Sequence, residues 1–257
     1  MKLFYREYGT GNPLVLLHGL FGCSDNWASF ARKLAIQCNA RVIVPDLRNH
    51  GQSPHHPDFS FEAMVDDLFE LISTLNIQKP TVMGHSLGGK IILHALLHQS
   101  DFCQKAIIAD MGLRTYSGGL EHVEVLELMQ SHNLSNCKNR KEVEDLVSKH
   151  ISDFRLQQLV LKNVYWKNAE TLAWKIDVWA ISNNLSEVFN GISYPKPIVV
   201  PTFFIKAGLS DYINEEDKLL IRSQFTNAFV IEVKNAGHWL HVDNPEAFFN
   251  TVKTILE

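Results

Sequence analysis

The sequence predicts an α/β protein built on a mostly parallel central sheet flanked by helices, with an inserted helical cap. Three observations predict it. Short aliphatic runs alternate with longer segments of helical periodicity along the 257 residues. Several of the short runs are apolar almost throughout, as strands covered on both faces should be. Residues 112–197 interrupt the alternation with helix-type sequence, far longer than the dozen or so residues a parallel crossover needs.

The strand candidates, in order, are residues 2–8, 14–17, 41–44, 81–83, 105–109, 202–206 and 228–233. Between them, residues 61–75 place Met64, Val65, Leu68, Leu71, Ile72 and Leu75 at helical spacing. Residues 90–97 read as another helix. The last helix starts at Asn244, a good cap, with Pro245 at the first helical position. Residues 1–111 and 198–257 therefore form the α/β core, and residues 112–197 a cap with helices at 121–130, 140–151 and 168–179. Tyr165, Trp166, Trp174, Trp179 and Phe189 lie in this insertion. They form the cap's own core, or one or two of them line an apolar pocket between cap and sheet.

Composition excludes several function classes. Hydrophobic residues make up 46% and charged residues 20%, with a net charge of −4. No basic surplus points to nucleic acid. No apolar run approaches the ~18 residues of a membrane span, and residues 1–7 show no secretory h-region. Cys23, Cys38, Cys103 and Cys137 stand far apart, which predicts reduced thiols in a cytoplasmic protein. The partner expected is a small molecule.

Gly84-His85-Ser86-Leu87-Gly88 carries the chemistry. A bare Gly-x-Ser-x-Gly match arises by chance in roughly one chain in ten of this length. Here an apolar strand precedes it and a helix follows, the setting of a nucleophile elbow. The turn strains the serine, and the small residues two before and two after let strand and helix cross closely. Ser86 also stands at a helix N-terminus, where free N–H groups favour a developing oxyanion.

Upstream, His18-Gly19-Leu20-Phe21-Gly22 follows an apolar strand. Its loop can offer a second oxyanion donor at Leu20, with Phe21 next, to join the N–H of Leu87. His18 reads as a structural hydrogen-bonding residue. Near the end of the chain, Gly237-His238-Trp239 follows a strand, where this chain order places the general base. His94 and His98 stand at i and i+4 but lack a third ligand, so no metal site is expected. Two carboxylates can orient His238. Asp211 follows strand 202–206, and Asp110 ends strand 105–109.

Together, residues 18–22, Asp46-Leu47-Arg48-Asn49-His50-Gly51-Gln52-Ser53-Pro54, Gly84-His85-Ser86-Leu87-Gly88-Gly89-Lys90 and Gly237-His238-Trp239-Leu240-His241 resemble the α/β-hydrolase family. They are most similar to the YbfF-type bacterial esterases. The resemblance implies hydrolysis of short to medium acyl esters, acyl-CoA thioesters among them, with no cofactor. It also favours Asp110 over Asp211 as the third triad member. A serine at the elbow argues against haloalkane dehalogenases and epoxide hydrolases, which use aspartate there. Carbon–carbon bond hydrolases and lyases keep the serine and stay open as alternatives, as does a slow-turnover ligand receptor on the same fold.

Overall fold

Period-2 alternation in the central strands feeds two separate apolar layers. Leu14, Leu16, Val42, Val44, Met83 and Ile107 turn to one face of the sheet. Val15, Leu17, Ile43, Val82 and Ile108 turn to the other. Both faces are thus apolar and both are covered, as a parallel sheet requires.

The computed structural model describes residues 1–117 and 120–257. The first half runs β1 (Tyr5–Tyr8), β2 (Asn12–Leu17), α1 (Ala28–Gln37), β3 (Ala40–Pro45), α2 (Phe61–Thr74), β4 (Thr81–His85), α3 (Leu87–His98) and β5 (Lys105–Ala109). The insertion holds α4 (Leu120–Ser131), α5 (Arg140–His150), α6 (Phe154–Lys162), β6 (Val164–Trp166), β7 (Leu172–Trp174) and α7 (Val178–Val188). The chain then returns through β8 (Thr202–Ala207), α8 (Glu215–Gln224), β9 (Ala228–Val233), α9 (Leu240–Asp243) and α10 (Pro245–Leu256).

The seven-stranded sheet has the order β1-β3-β2-β4-β5-β8-β9. Only β1 is antiparallel to its neighbour. α1 and α10 cover one face, through Ala31, Leu34, Phe248, Phe249 and Val252. α2 and α3 cover the other, through Met64, Val65, Leu68, Ile91 and Ile92. Ser60 caps α2 by accepting from the Ala63 N–H, and Asn244 caps α10 by accepting from the Ala247 N–H.

Three expectations from the sequence need correction. The first strand begins at Tyr5 rather than residue 2, because the Phe4 N–H leaves the ladder and bonds to Ser53 Oγ at 2.9 Å. Residues 168–179 are not one helix. Tyr165 pairs with Ala173 and Trp166 with Leu172 in an antiparallel hairpin, and α7 starts only after Asp177 caps it. Aromatic and β-branched residues favour a pleated surface, and three-residue strands are too short to show a period. The insertion's aromatics also do not form one core: Tyr165, Trp166 and Trp179 are exposed.

The motif at residues 46–54 is a brace. Asp46 accepts from the N–H groups of Ser24 and Gln52 at 2.6 and 2.8 Å. Gly51 sits at φ 57°, where a Cβ would come within 2.1 Å of Asp46 Oδ2. Arg48 meets Asp67 through Nε and Nη2 at 2.6 and 2.9 Å, and also donates to the carbonyls of Asp58 and Ala63. Both partners are buried. Removing Arg48 leaves the buried Asp67 carboxylate with the Met1 ammonium as its other partner, so the cost stays below the ~3–5 kcal/mol of a wholly unpaired buried charge. Arg48→Met is therefore expected to lower unfolding stability by about 1–3 kcal/mol, the scale of lost hydrogen bonds to buried groups. Urea titration of the purified variant measures it, and a midpoint like that of the wild type would show that the pair adds little.

Candidate active site

Strand register brings the predicted residues to one edge. His85 pairs with Ala109 in the β4–β5 ladder, so Ser86 and Asp110 stand side by side past the carboxyl ends of their strands. The Ser86 N–H donates to the Ala109 carbonyl at 3.1 Å, and the Asp110 N–H to the Ile205 carbonyl at 2.8 Å. β9 ends at Val233, opposite Ala207, and the loop after it carries His238 to the same edge.

Ser86 adopts φ 52° and ψ −117°, just before α3. A non-glycine residue held there is strained by about 1–3 kcal/mol. The elbow enforces it through close crossing: a Cβ on Gly84 would lie 2.3 Å from the Gly88 carbonyl carbon, and one on Gly88 2.5 Å from the Leu17 carbonyl oxygen. Phe21 at φ 61° and Asp110 at φ 48° share the left-handed region. The backbone is thus bent at all three candidate positions, Ser86, Phe21 and Asp110.

His238 is fixed from four directions. Its Nδ1–H donates to Asp110 Oδ2 at 2.8 Å. Its carbonyl accepts from His85 Nε2–H at 2.7 Å. The Gly237 N–H before it donates to Asp243 Oδ2 at 2.8 Å. The Tyr212 ring stacks on it at 4.0 Å and 17°. Asp110 is fully buried. Its Oδ1 accepts from the Ala207 N–H at 2.9 Å, and its Oδ2 also accepts from Ser210 Oγ at 2.6 Å. Among the described residues no hydrogen bond joins Ser86 Oγ to His238, although both line one cavity of about 40 Å³. Such bonds are often long in free enzymes and tighten with substrate.

Asp211 is placed apart from this network. It is exposed, and its backbone carbonyl accepts from Arg114 Nη2 at 2.6 Å. Asp211→Asn is expected to change kcat by less than about threefold, since exposed substitutions away from buried networks have small effects. Steady-state rates on one ester check this, and a loss of a hundredfold would return Asp211 to the site. The residues that the sequence reading missed in this loop are Ser210 and Tyr212. Their only signal was nearness to Asp211.

The oxyanion candidates separate. The Phe21 N–H is already donated to His50 Nε2 at 3.2 Å. Among the described residues the N–H groups of Leu20 and Leu87 have no partner. His50 donates in turn from Nδ1 to the Arg48 carbonyl at 2.9 Å. Burial, with the neighbouring His18 adding to it, lowers His50 to about 3, which keeps it a neutral acceptor. His18 accepts from the Leu47 N–H at Nε2, 3.0 Å, and donates from Nδ1 to the Gly19 carbonyl. Burial also lowers His18. Both hold the loop of Leu20 in place, as the structural reading of His18 expected.

None of the five cap aromatics lines the cavity that holds Ser86. The insertion contributes His122, Leu156 and Leu159 instead. His94 stacks on Phe61 at 4.0 Å and 6°. Among the described residues, no group of three or more His, Cys, Asp or Glu could hold a metal ion, and no helix is long and apolar enough to cross a membrane. All four cysteines are free thiols.

A strand–serine–helix elbow on a sheet of this order defines an α/β hydrolase. The model of the alpha/beta hydrolase fold matches residues 12–134, and the chain belongs to that family. Its relatives extend the likeness to nearly the full length. The sn-1-specific diacylglycerol lipase ABHD11 of Danio rerio is 30% identical over 253 residues, covering 97% of this chain and 80% of the lipase. Esterase YbfF of Escherichia coli strain K12 is 29% identical over 261 residues, covering 100% and 99% of the two chains. The solved structure of a marine microorganism esterase matches with a TM-score of 0.93 and 36% identity over 98% of each chain. Relatives of these kinds make the chain a hydrolase.

Proposed function

We propose that the protein is a serine esterase that cleaves carboxylic esters or thioesters of short to medium acyl chains through an acyl-enzyme on Ser86. The observation that carries this reading is the 2.8 Å bond from His238 Nδ1 to buried Asp110, beside a strained serine in the same cavity.

In the first half-reaction His238 Nε2 takes the proton of Ser86 as Oγ attacks the ester carbonyl carbon. The carbonyl oxygen becomes an oxyanion on the N–H groups of Leu20 and Leu87. The tetrahedral adduct collapses, and His238 returns the proton to the departing alcohol or thiol. In the second half-reaction water gives its proton to His238 and attacks the acyl carbon. Collapse releases the acid as His238 returns that proton to Ser86 Oγ, which restores both side chains. Asp110 holds the imidazole with Nδ1 as donor, so that Nε2 is the basic nitrogen. The cycle calls for no metal or organic cofactor. In this reading residues 112–197 form the cap over the carboxyl edge of the sheet, and the partner is a small ester.

The test combines labelling and turnover. A fluorophosphonate should label Ser86 in the purified protein, and p-nitrophenyl acetate through octanoate should be hydrolysed. Labelling at another residue, or no turnover on either ester or acyl-CoA panels, would overturn the proposal. Burst release of p-nitrophenol, one per active site, supports the acyl-enzyme.

A further inference from the structure

Lys90, the last residue of the motif at 84–90, has no part in the cycle, yet it is fully buried. Its Nζ donates to the Val188 carbonyl at 2.9 Å and lies 5.3 Å from the centre of the Tyr116 ring. The Arg114 guanidinium lies over the same ring at 4.6 Å and pairs with buried Asp217 at 2.9 Å. The Tyr116 N–H donates to the Phe189 carbonyl at 2.9 Å, and the Ile192 N–H to the Leu113 carbonyl at 2.7 Å. Tyr116 is thus fixed at the root of the insertion, where the outgoing and returning segments bond to each other.

The Tyr116 hydroxyl joins two backbone groups. It accepts from the Gly112 N–H at 2.6 Å and donates to the Tyr212 carbonyl at 2.9 Å. The two tyrosine rings meet at 5.1 Å and 42°. Tyr212 is therefore anchored from the insertion, and its ring covers a face of the His238 imidazole. Two other rings stand near that imidazole. Trp239 is edge-on at 6.4 Å and 81°, and His85 is tilted at 4.7 Å and 40°. Burial holds His85 well below the ordinary histidine value. Among the described residues Tyr212 alone stacks on His238.

His238 gains a proton in each half-reaction, so positive charge grows on its ring as the transition state forms. A cation over an aromatic face is attracted by the ring's quadrupole, most strongly away from water. A contact that strengthens in the transition state raises kcat and leaves KM alone. Stacking also keeps the imidazole from turning off its 2.8 Å bond to Asp110. We infer that Tyr212 is a positioning residue for the general base, and that Tyr116 acts through it by holding its backbone. The inference rests on the esterase reading and goes beyond the set of Ser86, His238 and Asp110. Neither tyrosine lines the cavity that holds Ser86, so both act through His238.

p-Nitrophenyl acetate and octanoate serve as probes, and the rate of fluorophosphonate labelling at Ser86 as a measure independent of acyl length. Tyr212→Leu removes the ring. It should lower kcat on both esters by the same factor, about tenfold, with KM within about twofold. Labelling should slow in step. Tyr212→Phe keeps the ring and should recover most of that loss. Tyr116→Phe deletes one oxygen and should lower kcat by about threefold, the scale of one hydrogen bond. Added to Tyr212→Leu, it should cost less than about twofold more, because residues that act through one contact are not additive. Circular dichroism and urea midpoints check that each variant folds. Should Tyr212→Leu not fold, Tyr116→Phe decides alone, and an unchanged kcat there overturns the inference. With an active wild type, three other results also overturn it: full kcat in Tyr212→Leu, a loss that differs between the two esters, or no recovery in Tyr212→Phe. Losses that multiply in the double variant overturn the route through Tyr116. If the wild type hydrolyses neither ester and Ser86 is not labelled, the esterase reading fails and the inference falls with it.

Discussion

Ser86→Ala is expected to lower ester hydrolysis by about 10⁶-fold, the scale that follows removal of the nucleophile in a serine hydrolase. Alanine at this position deletes one oxygen and nothing else. Ser86 Oγ makes no hydrogen bond among the described residues that the variant would lose. The strained φ of 52° is a property of the elbow and is imposed on alanine as on serine. The circular dichroism spectrum and the urea midpoint should therefore match the wild type. Fluorophosphonate labelling should vanish in parallel with turnover. Measurable hydrolysis by a variant prepared free of host esterases would assign the nucleophile elsewhere.

Asp110→Asn should lower kcat by about 10⁴-fold, with folding preserved. Asparagine tolerates the left-handed conformation found at φ 48°, and its amide oxygen can still accept from the Ala207 N–H, which bonds to Oδ1 at 2.9 Å. The other amide position becomes an NH₂ group. It meets two donors, Ser210 Oγ–H and His238 Nδ1–H, which both approach Oδ2 in the wild type. The imidazole relieves the clash by moving its proton to Nε2, and Nε2 is then unable to accept the proton of Ser86. A loss near 10⁴ with little change in KM is the result expected. An unchanged kcat would show that His238 needs no carboxylate at Nδ1. A large loss in Asp211→Asn instead would transfer the role to that exposed residue.

The central sheet was legible because its strands are short, aliphatic and covered on both faces. The runs at 105–109 and 228–233 coincide with β5 and β9. The hairpin of β6 and β7 was not legible, since each strand has three residues and its aromatics also suit a helix face. The site was legible where chemistry imposes local spacing, as at residues 84–88. It was less so where partners meet across the fold. The bond between the Phe21 N–H and His50 spans 29 residues and has no local pattern. Spacing left Asp110 and Asp211 level, because both follow strands that end at the same edge, and only the resemblance to the esterases favoured Asp110.

The strained turn at Ser86 has a consequence for the way the sequence can change. At φ 52° and ψ −117°, glycine would relax a conformation that serine holds at a cost of about 1–3 kcal/mol. Glycine's greater freedom in the unfolded chain offsets only about 0.5–1 kcal/mol of that gain. The serine proposed as nucleophile at position 86 is thus not the residue that would make that position most stable. Drift toward stability at this position runs directly away from catalysis, and a lineage released from selection on turnover would be free to follow it.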